Sequence, residues 1–221
     1  MVRGFSSVLC DRDLISFISS AIIEDIEKMQ VAGSAFIAYY YFDFKDTSKR
    51  DVRGLLSSLL FQLGGCSDFH WDVLRQLYVT YRDGSRQPSE AALTECLKSI
   101  LEFPGQVPTF VILDALDECP NTIGTPSARE KVLDLVDDLV LWNYPYLHIC
   151  IASRPEQDIQ AVLDPLTSAP FRVSLHEESG QREDINNYIR SFVHSDKVMR
   201  RWREKDQELV IRTLSERAGG M

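Results

Sequence analysis

Three observations predict an α/β protein built on a mainly parallel sheet. Apolar, β-favouring runs alternate with segments of helical period. Residues 110–113 (Phe-Val-Ile-Leu) show no polar alternation, as expected of a strand covered by helices on both faces. The strand-like runs also stop at polar residues, Asp43, Asp114 and Ser153, and the carboxyl edge of an open α/β sheet is where ligands bind. Strand–helix–strand order then implies right-handed crossovers.

Each element has its own signature. Leu14, Phe17, Ile18, Ala21, Ile22, Ile26 and Met29 recur at helical spacing, with Asp11 or Asp13 as cap. Residues 35–42 read as an aromatic-rich strand. A second helix, capped by Thr47 or Ser48, carries the stripe Val52, Leu55, Leu56, Leu59, Leu60 and Leu63 and ends at Gly64-Gly65. Trp71, Leu74, Leu77, Tyr78 and Tyr81 mark a third helix, closed by the turn Asp83-Gly84-Ser85. Pro88-Ser89 opens a fourth, with Leu93, Leu97, Ile100 and Leu101 inward, before Pro104-Gly105. After the 110–113 strand comes a polar loop, residues 121–127, then a helix with Val132, Leu135, Val136, Leu139 and Val140. Residues 147–152 form the next buried strand, ending in Ser153-Arg154-Pro155, where proline forces an extended residue before it. A short helix through Ile159, Val162 and Leu163 and a strand at residues 171–175 complete the alternation. Beyond Gly180 only helical period remains, through Ile185, Tyr188, Ile189, Phe192 and Val193, then Leu209, Val210 and Leu214. The expected division is therefore a core of residues 1–180 and the start of a helical region at 181–221.

Composition narrows the function classes. Thirty-three acidic against 24 basic residues give a formal net charge of −9 over 221 residues, which argues against general nucleic-acid or membrane-surface binding. No apolar run reaches membrane-spanning length. The five cysteines (Cys10, Cys66, Cys96, Cys119, Cys150) form no CxxC pair and lack histidines at zinc-site spacing, so buried free thiols are expected. With no export signal at the start, a cytoplasmic protein is expected. His70, His148, His176 and His194 are isolated and read as surface or core histidines. The run Arg200-Arg201-Trp202-Arg203 reads as a solvated helix face with Trp202 packed inward.

Candidate chemistry gathers after the 110–113 strand. Asp114, Asp117 and Glu118 lie close enough to repel one another, which makes sense around a hard cation or a water to be activated. Asp114 would hold Mg²⁺ through water, and Asp117 or Glu118 would polarise an attacking water. The bland alternative is a set of acids capping the next turn. Asp43, Asp46 and Arg53 could line the same edge, although a strand-end turn and a helix cap explain the two acids equally.

The residues Phe-Val-Ile-Leu-Asp-Ala-Leu-Asp-Glu-Cys-Pro resemble the Walker B strand of NACHT domains, a subgroup of the STAND P-loop NTPases. Ile-Ala-Ser-Arg-Pro-Glu resembles the sensor strand of that group, and Tyr-Tyr-Phe-Asp-Phe-Lys-Asp-Thr with the Asp51-Val52-Arg53-Gly54 helix start is similar to nephrocystin-type NACHT domains of fungal NLR-like receptors. The resemblance implies a P-loop NTPase-like three-layer fold with strand order 5-1-4-3-2. It further implies ATP or GTP with Mg²⁺ as cofactors, and Asp114 and Arg154 as their binding residues. Self-association or other NLR-like domains would be the partners. Arg154 would face the terminal phosphate, or pair with Asp114 or Glu118 instead.

One element of the family is missing. No G-x-x-x-x-G-K-[ST] loop occurs in this sequence: before Gly33 the only glycine is Gly4 and the only lysine is Lys28. Ser7-Val8-Leu9-Cys10 resembles the residues just after the P-loop lysine, and residues 20–26 resemble the continuation of that helix, which makes residues 11–19 an insertion. A truncated or alternatively spliced chain, or a misplaced start with a retained intervening segment, would produce this pattern. The expected consequence is a gap, or a poor surrogate strand from residues 1–5, between the strands of Cys150 and Val173. Nucleotide binding and hydrolysis are then expected to be impaired, because phosphoryl transfer is mostly positioning. The alternatives are a non-nucleotide-binding interaction or scaffold fragment and a metal-dependent phosphoesterase using residues 114–118 with Asp43.

Overall fold

A computed structural model describes residues 4–9, 12–46, 49–81, 84–103, 107–121, 126–167, 172–174, 187, 189–195 and 199–218. They fall into two compact units, Met1–Val173 and Ser174–Met221. The first unit runs β1 (Gly4–Leu9), α1 (Arg12–Val31), β2 (Phe36–Tyr41), α2 (Val52–Gly64), α3 (Asp68–Thr80), α4 (Glu90–Leu101), β3 (Thr109–Asp114), α5 (Ala128–Leu141), β4 (Leu147–Ser153), α6 (Gln157–Leu166) and β5 (Arg172–Ser174). Its five strands take the order β2-β3-β4-β1-β5, the order the resemblance implies. Pairing is parallel between β2 and β3, β3 and β4, and β1 and β4.

Side-chain parity sorts the sheet into two faces. Ala38, Tyr40, Phe42, Val111, Leu113, Ile149 and Ile151 join the larger core with the leucine stripe of α2 and with α4, α5 and α6. Ile37 and Ile112 pack instead with Ile23 and Ile26 of α1, beside Tyr39, Tyr41, Phe110 and Cys150. Helix, sheet and helix therefore form three layers, and β3 is covered on both sides as its sequence requires.

Of the two expected outcomes, a gap or a poor surrogate strand from residues 1–5, the sheet has a strand in that place, formed by residues 4–9. Residues Gly4 to Leu9 pair with His148 to Ser153 of β4 in register, so a six-residue strand stands between β4 and β5. An empty place there would leave the backbone groups of β4 unpaired inside the protein, which is costly. Ser7 to Leu9 accordingly belong to a strand rather than to a helix start. Residues 12–19 continue directly into residues 20–31 as one 20-residue helix.

Three smaller expectations change. Helix α1 buries Ser19, Ile23 and Ile26, while Met29 is 40% exposed and Ala21 faces solvent. The period was legible, but the adjacent pair Ile22-Ile23 leaves its phase open to the packing partner. Helix α2 starts at Val52 and is capped by Asp51, whose carboxylate accepts from the Gly54 N–H; Thr47 and Ser48 lie outside the described residues. Ser89 caps α4 as expected, and Ser127 with Glu130 forms a capping box on α5. Asp11, Asp83, Pro104, Gly105, Phe171 and Leu175 also lie outside the described residues, as do Ile185 and Tyr188 in the second unit.

In that second unit, residues 189–195 are helical with Val193 buried, and α7 (Glu204–Ala218) buries Ile211. Trp202 does not pack inward as expected but stands 43% exposed after a short turn, Met199–Arg201. The turn is held to α7 by the Gln207 amide, which donates to the Met199 carbonyl at 2.9 Å.

Cys96 and Cys119 are buried free thiols, and Cys66 and Cys150 are half-buried ones. His70 is fully buried between α2 and α3, its Nδ1 3.0 Å from the Leu63 carbonyl and its ring edge-on to Phe36. The carbonyl can only accept, so Nδ1 carries the proton, and Nε2 has no partner. Burial lowers the His70 pKa below 6.5, opposed by the Leu63 hydrogen bond, and burial likewise lowers that of His148. A depressed histidine pKa means that the unfolded chain takes up protons first, so stability present above about pH 6.5 is lost as pH falls below it. Thermal unfolding between about pH 7 and 5.5 should show this loss, and His70→Leu should reduce the slope to the part carried by His148.

Candidate functional site

Parity decides where the first acid points. Asp114 shares the face of Phe110 and Ile112, so its carboxylate turns toward α1. There it is 1% exposed and accepts a 2.8 Å hydrogen bond from the hydroxyl of Ser19, itself buried on the stripe of Ile23 and Ile26. Its charge is felt locally. Burial first, and Asp114 second, push the Cys150 thiol up to about 11. Tyr41 is raised mainly by burial; its hydrogen bond with Ser20 works against this, and Asp114 adds to it.

Beyond Asp114 the chain reverses through Ala115, whose φ of 55° lies in the left-handed region. For a residue with a Cβ that conformation costs about 1–2 kcal/mol. The turn Leu116–Glu118 comes next, anchored by the fully buried Leu116 and by the Cys119 N–H donating to the Leu116 carbonyl at 3.0 Å. The reversal separates the remaining acids. Asp117 accepts from the Arg154 N–H at 3.1 Å and faces the Arg154 guanidinium at 3.5 Å. Glu118 accepts from the Phe44 N–H at 3.3 Å. The ion partner of Arg154 is thus Asp117, not Asp114 or Glu118.

The three carboxylates therefore do not converge. Among the described residues no group of three His, Cys, Asp or Glu side chains is arranged to hold a metal ion. Asp43, Asp46 and Arg53 are engaged locally: Asp43 accepts from the Lys45 N–H at 2.8 Å, Asp46 lies 4.0 Å from the Lys49 ammonium, and Arg53 donates to the Pro88 carbonyl at 2.7 Å.

A cleft of about 390 Å³ opens beside the turn, lined by Phe44, Arg50, Asp117, Glu118, Cys119, Pro120, Arg129, Arg154 and Glu156. Sequence reasoning missed Arg129, which organises it. Its side chain is 6% exposed, donating to the carbonyls of Asp117 and Cys119 and to the carboxylates of Glu156 and Asp158. One guanidinium thus ties the turn after β3 to the start of α6. A signal was available: Arg129 sits in the first turn of α5, where the helix dipole disfavours a cation, so a specific partner was to be sought. Burial pushes the nearby Cys119 thiol up to about 12 despite the opposing charge of Arg129, with Asp51 contributing.

The layered parallel sheet and the acids after β3 define the class, an α/β domain with the strand order of P-loop NTPases. The profile of the nephrocystin 3 N-terminal family matches residues 16–154, well over half of the chain, and the protein belongs to that family. A search of curated proteins found no match.

The donor set fits a magnesium–nucleotide poorly. Asp114, the aspartate expected from the sequence to carry the metal, is sealed beneath α1 and bonded to Ser19. Only Cys10 and Asp11 separate β1 from α1, where a G-x-x-x-x-G-K-[ST] phosphate loop would need eight residues.

Replacing Arg129 should be felt as stability. Arg129→Leu leaves two buried carbonyls unpaired and two half-exposed acids unmatched, an expected loss of about 2–3 kcal/mol in denaturant unfolding. Arg129→Lys should recover less than half of it, because an ammonium cannot reach all four acceptors at once.

Proposed function

We propose that this chain is a NACHT-type module of an NLR-like signalling protein that keeps the fold of a STAND NTPase without its catalysis. In this reading Asp114 is the Walker B aspartate and Arg154 the sensor arginine by position, while Asp117 and Glu118 stand where water-polarising acids would act. Mg²⁺ with ATP or GTP is the ligand of the ancestral site, and the module works in the cytoplasm through contacts with like domains. The observation that carries the reading is the 2.8 Å Ser19–Asp114 hydrogen bond, which holds the acid of the metal position against α1, where it is 1% exposed. Supporting it, Asp117 serves as counter-ion to Arg154 and is 8% exposed, which leaves it badly placed to act on a water.

No helix among the described residues is long and apolar enough to cross a membrane. The metal-dependent phosphoesterase reading loses support, because Asp43 and the acids of residues 114–118 do not share a site.

Titration with fluorescent ATP and GTP in the presence of Mg²⁺ tests the proposal. The expected result is no saturable binding in the micromolar range and no hydrolysis above the buffer rate. Magnesium-dependent micromolar binding that disappears in Asp114→Ala would overturn it. Sedimentation velocity on the same protein reads the partner half of the proposal, with concentration-dependent self-association expected and unaffected by added nucleotide.

A further inference from the structure

The five-stranded sheet ends at β2 on one side and at β5 on the other. Strand β5 spans only Arg172–Ser174, whereas β2 runs for six residues, Phe-Ile-Ala-Tyr-Tyr-Tyr, with no charge and no proline. An uncharged, aromatic edge of that length is a template on which another extended segment can add, and native proteins block such edges.

Backbone parity identifies the open groups. The Phe36 N–H donates to the Pro108 carbonyl at 2.8 Å and the Phe42 N–H to the Asp114 carbonyl at 3.0 Å, so the even-numbered residues turn their peptide groups toward β3. Those of Ile37, Tyr39 and Tyr41 turn away from the sheet. At Tyr39, the middle one, both groups are taken by the side chain of Gln62 from α2. The Tyr39 N–H donates to Gln62 Oε1 at 3.1 Å, and Gln62 Nε2 donates to the Tyr39 carbonyl at 2.8 Å. A residue of a neighbouring antiparallel strand would make the same exchange of one donor and one acceptor. Gln62 Nε2 also lies 3.0 Å from the Ser58 hydroxyl and 3.3 Å from the Ser58 carbonyl, and the Cys66 thiol donates to the Gln62 carbonyl at 3.4 Å. Only one orientation of the amide satisfies Tyr39, since exchanging its O and N would set donor against donor and acceptor against acceptor.

We propose that Gln62 is an edge guard: its amide stands in for the next strand at Tyr39 and prevents a second copy of the chain from extending the sheet through β2. The pattern of the edge names the occupant it excludes. Two β2 strands can pair antiparallel about Tyr39, with the two Tyr39 residues opposite each other and Ile37 opposite Tyr41 of the second copy, because the three outward residues are evenly spaced about that centre. The device is separate from the cleft beside the Ala115 turn, which neither Gln62 nor Tyr39 lines.

Backbone hydrogen exchange and sedimentation velocity on the full chain test the assignment. Gln62→Met keeps the length and helix propensity of the side chain and removes the amide. In dilute protein it should speed exchange at the Tyr39 amide about ten-fold. At higher concentration it should associate beyond the unmodified chain, and the amides of Ile37, Tyr39 and Tyr41 should become protected together. Gln62→Lys loses the same pair of hydrogen bonds but places a charge on the edge, so it should show the fast Tyr39 exchange without the added association. Self-association of the unmodified chain, expected above, should leave exchange at these three residues unchanged, so the two outcomes are read separately. Unaltered Tyr39 exchange in both variants, a Gln62→Met chain that associates no more than the unmodified one, or added association that leaves Ile37 and Tyr41 unprotected would each overturn the proposal.

Discussion

Strand β3 carries apolar side chains on both of its faces, so it is stable only between two helical layers. Val111 and Leu113 look toward α2 and α5, and Ile112 looks toward α1 with Ile23 and Ile26. At about 25 cal/mol per Å² of apolar surface removed from water, no isolated strand could leave either side exposed. The parallel neighbours β2 and β4 take the same alternation through their register with β3. Once that alternation is set, the direction of every side chain at the carboxyl edge is set with it, including that of Asp114.

The edge is consequently divided between two environments. Asp114 lies in the α1 layer, where Ser19 and the half-buried Tyr41 and Cys150 surround it. One residue later the left-handed Ala115 turns the chain, and Asp117, Glu118 and Cys119 line the cleft instead. Strain of this kind persists only where surrounding contacts over-determine it. Here those contacts are Leu116, fully buried beneath the turn, and Arg129, which grips the carbonyls of Asp117 and Cys119. The arginine is buried yet carries no uncompensated charge, because Glu156 and Asp158 at the start of α6 complete its shell.

Family membership and activity rest on different parts of this arrangement. The nephrocystin 3 N-terminal profile ends at residue 154 and starts at residue 16, within α1, so it spans the sheet edge and the acids but none of β1. Strand β1, between β4 and β5, is supplied by residues outside that match, and it leads into α1 after two residues. A fold can accept this substitution because pairing of the backbone asks only for an extended segment. A phosphate site cannot, since it needs a loop whose amides point at the ligand.

Much of the architecture was legible because its cause is local or periodic. The leucine stripe of α2, the caps Ser89 and Ser127, and the unbroken apolar run of β3 each specify their element with no knowledge of the rest. Asp51 displaced Thr47 and Ser48 as the α2 cap because several cap-competent residues stand in a row, and only the entry angle of the helix chooses among them. The phase of α1 was equally open, since either Ile22 or Ile23 could face a sheet that the sequence does not place. By itself, then, the sequence determined the layered α/β class and the presence of three acids and an arginine at one edge, while the strand order followed from the family resemblance. Tertiary structure alone decided that Asp114 points into the core, that Asp117 answers Arg154, and that Arg129 grips the turn. Those outcomes depend on contacts between residues as much as 95 positions apart, and no local propensity or spacing carries that information.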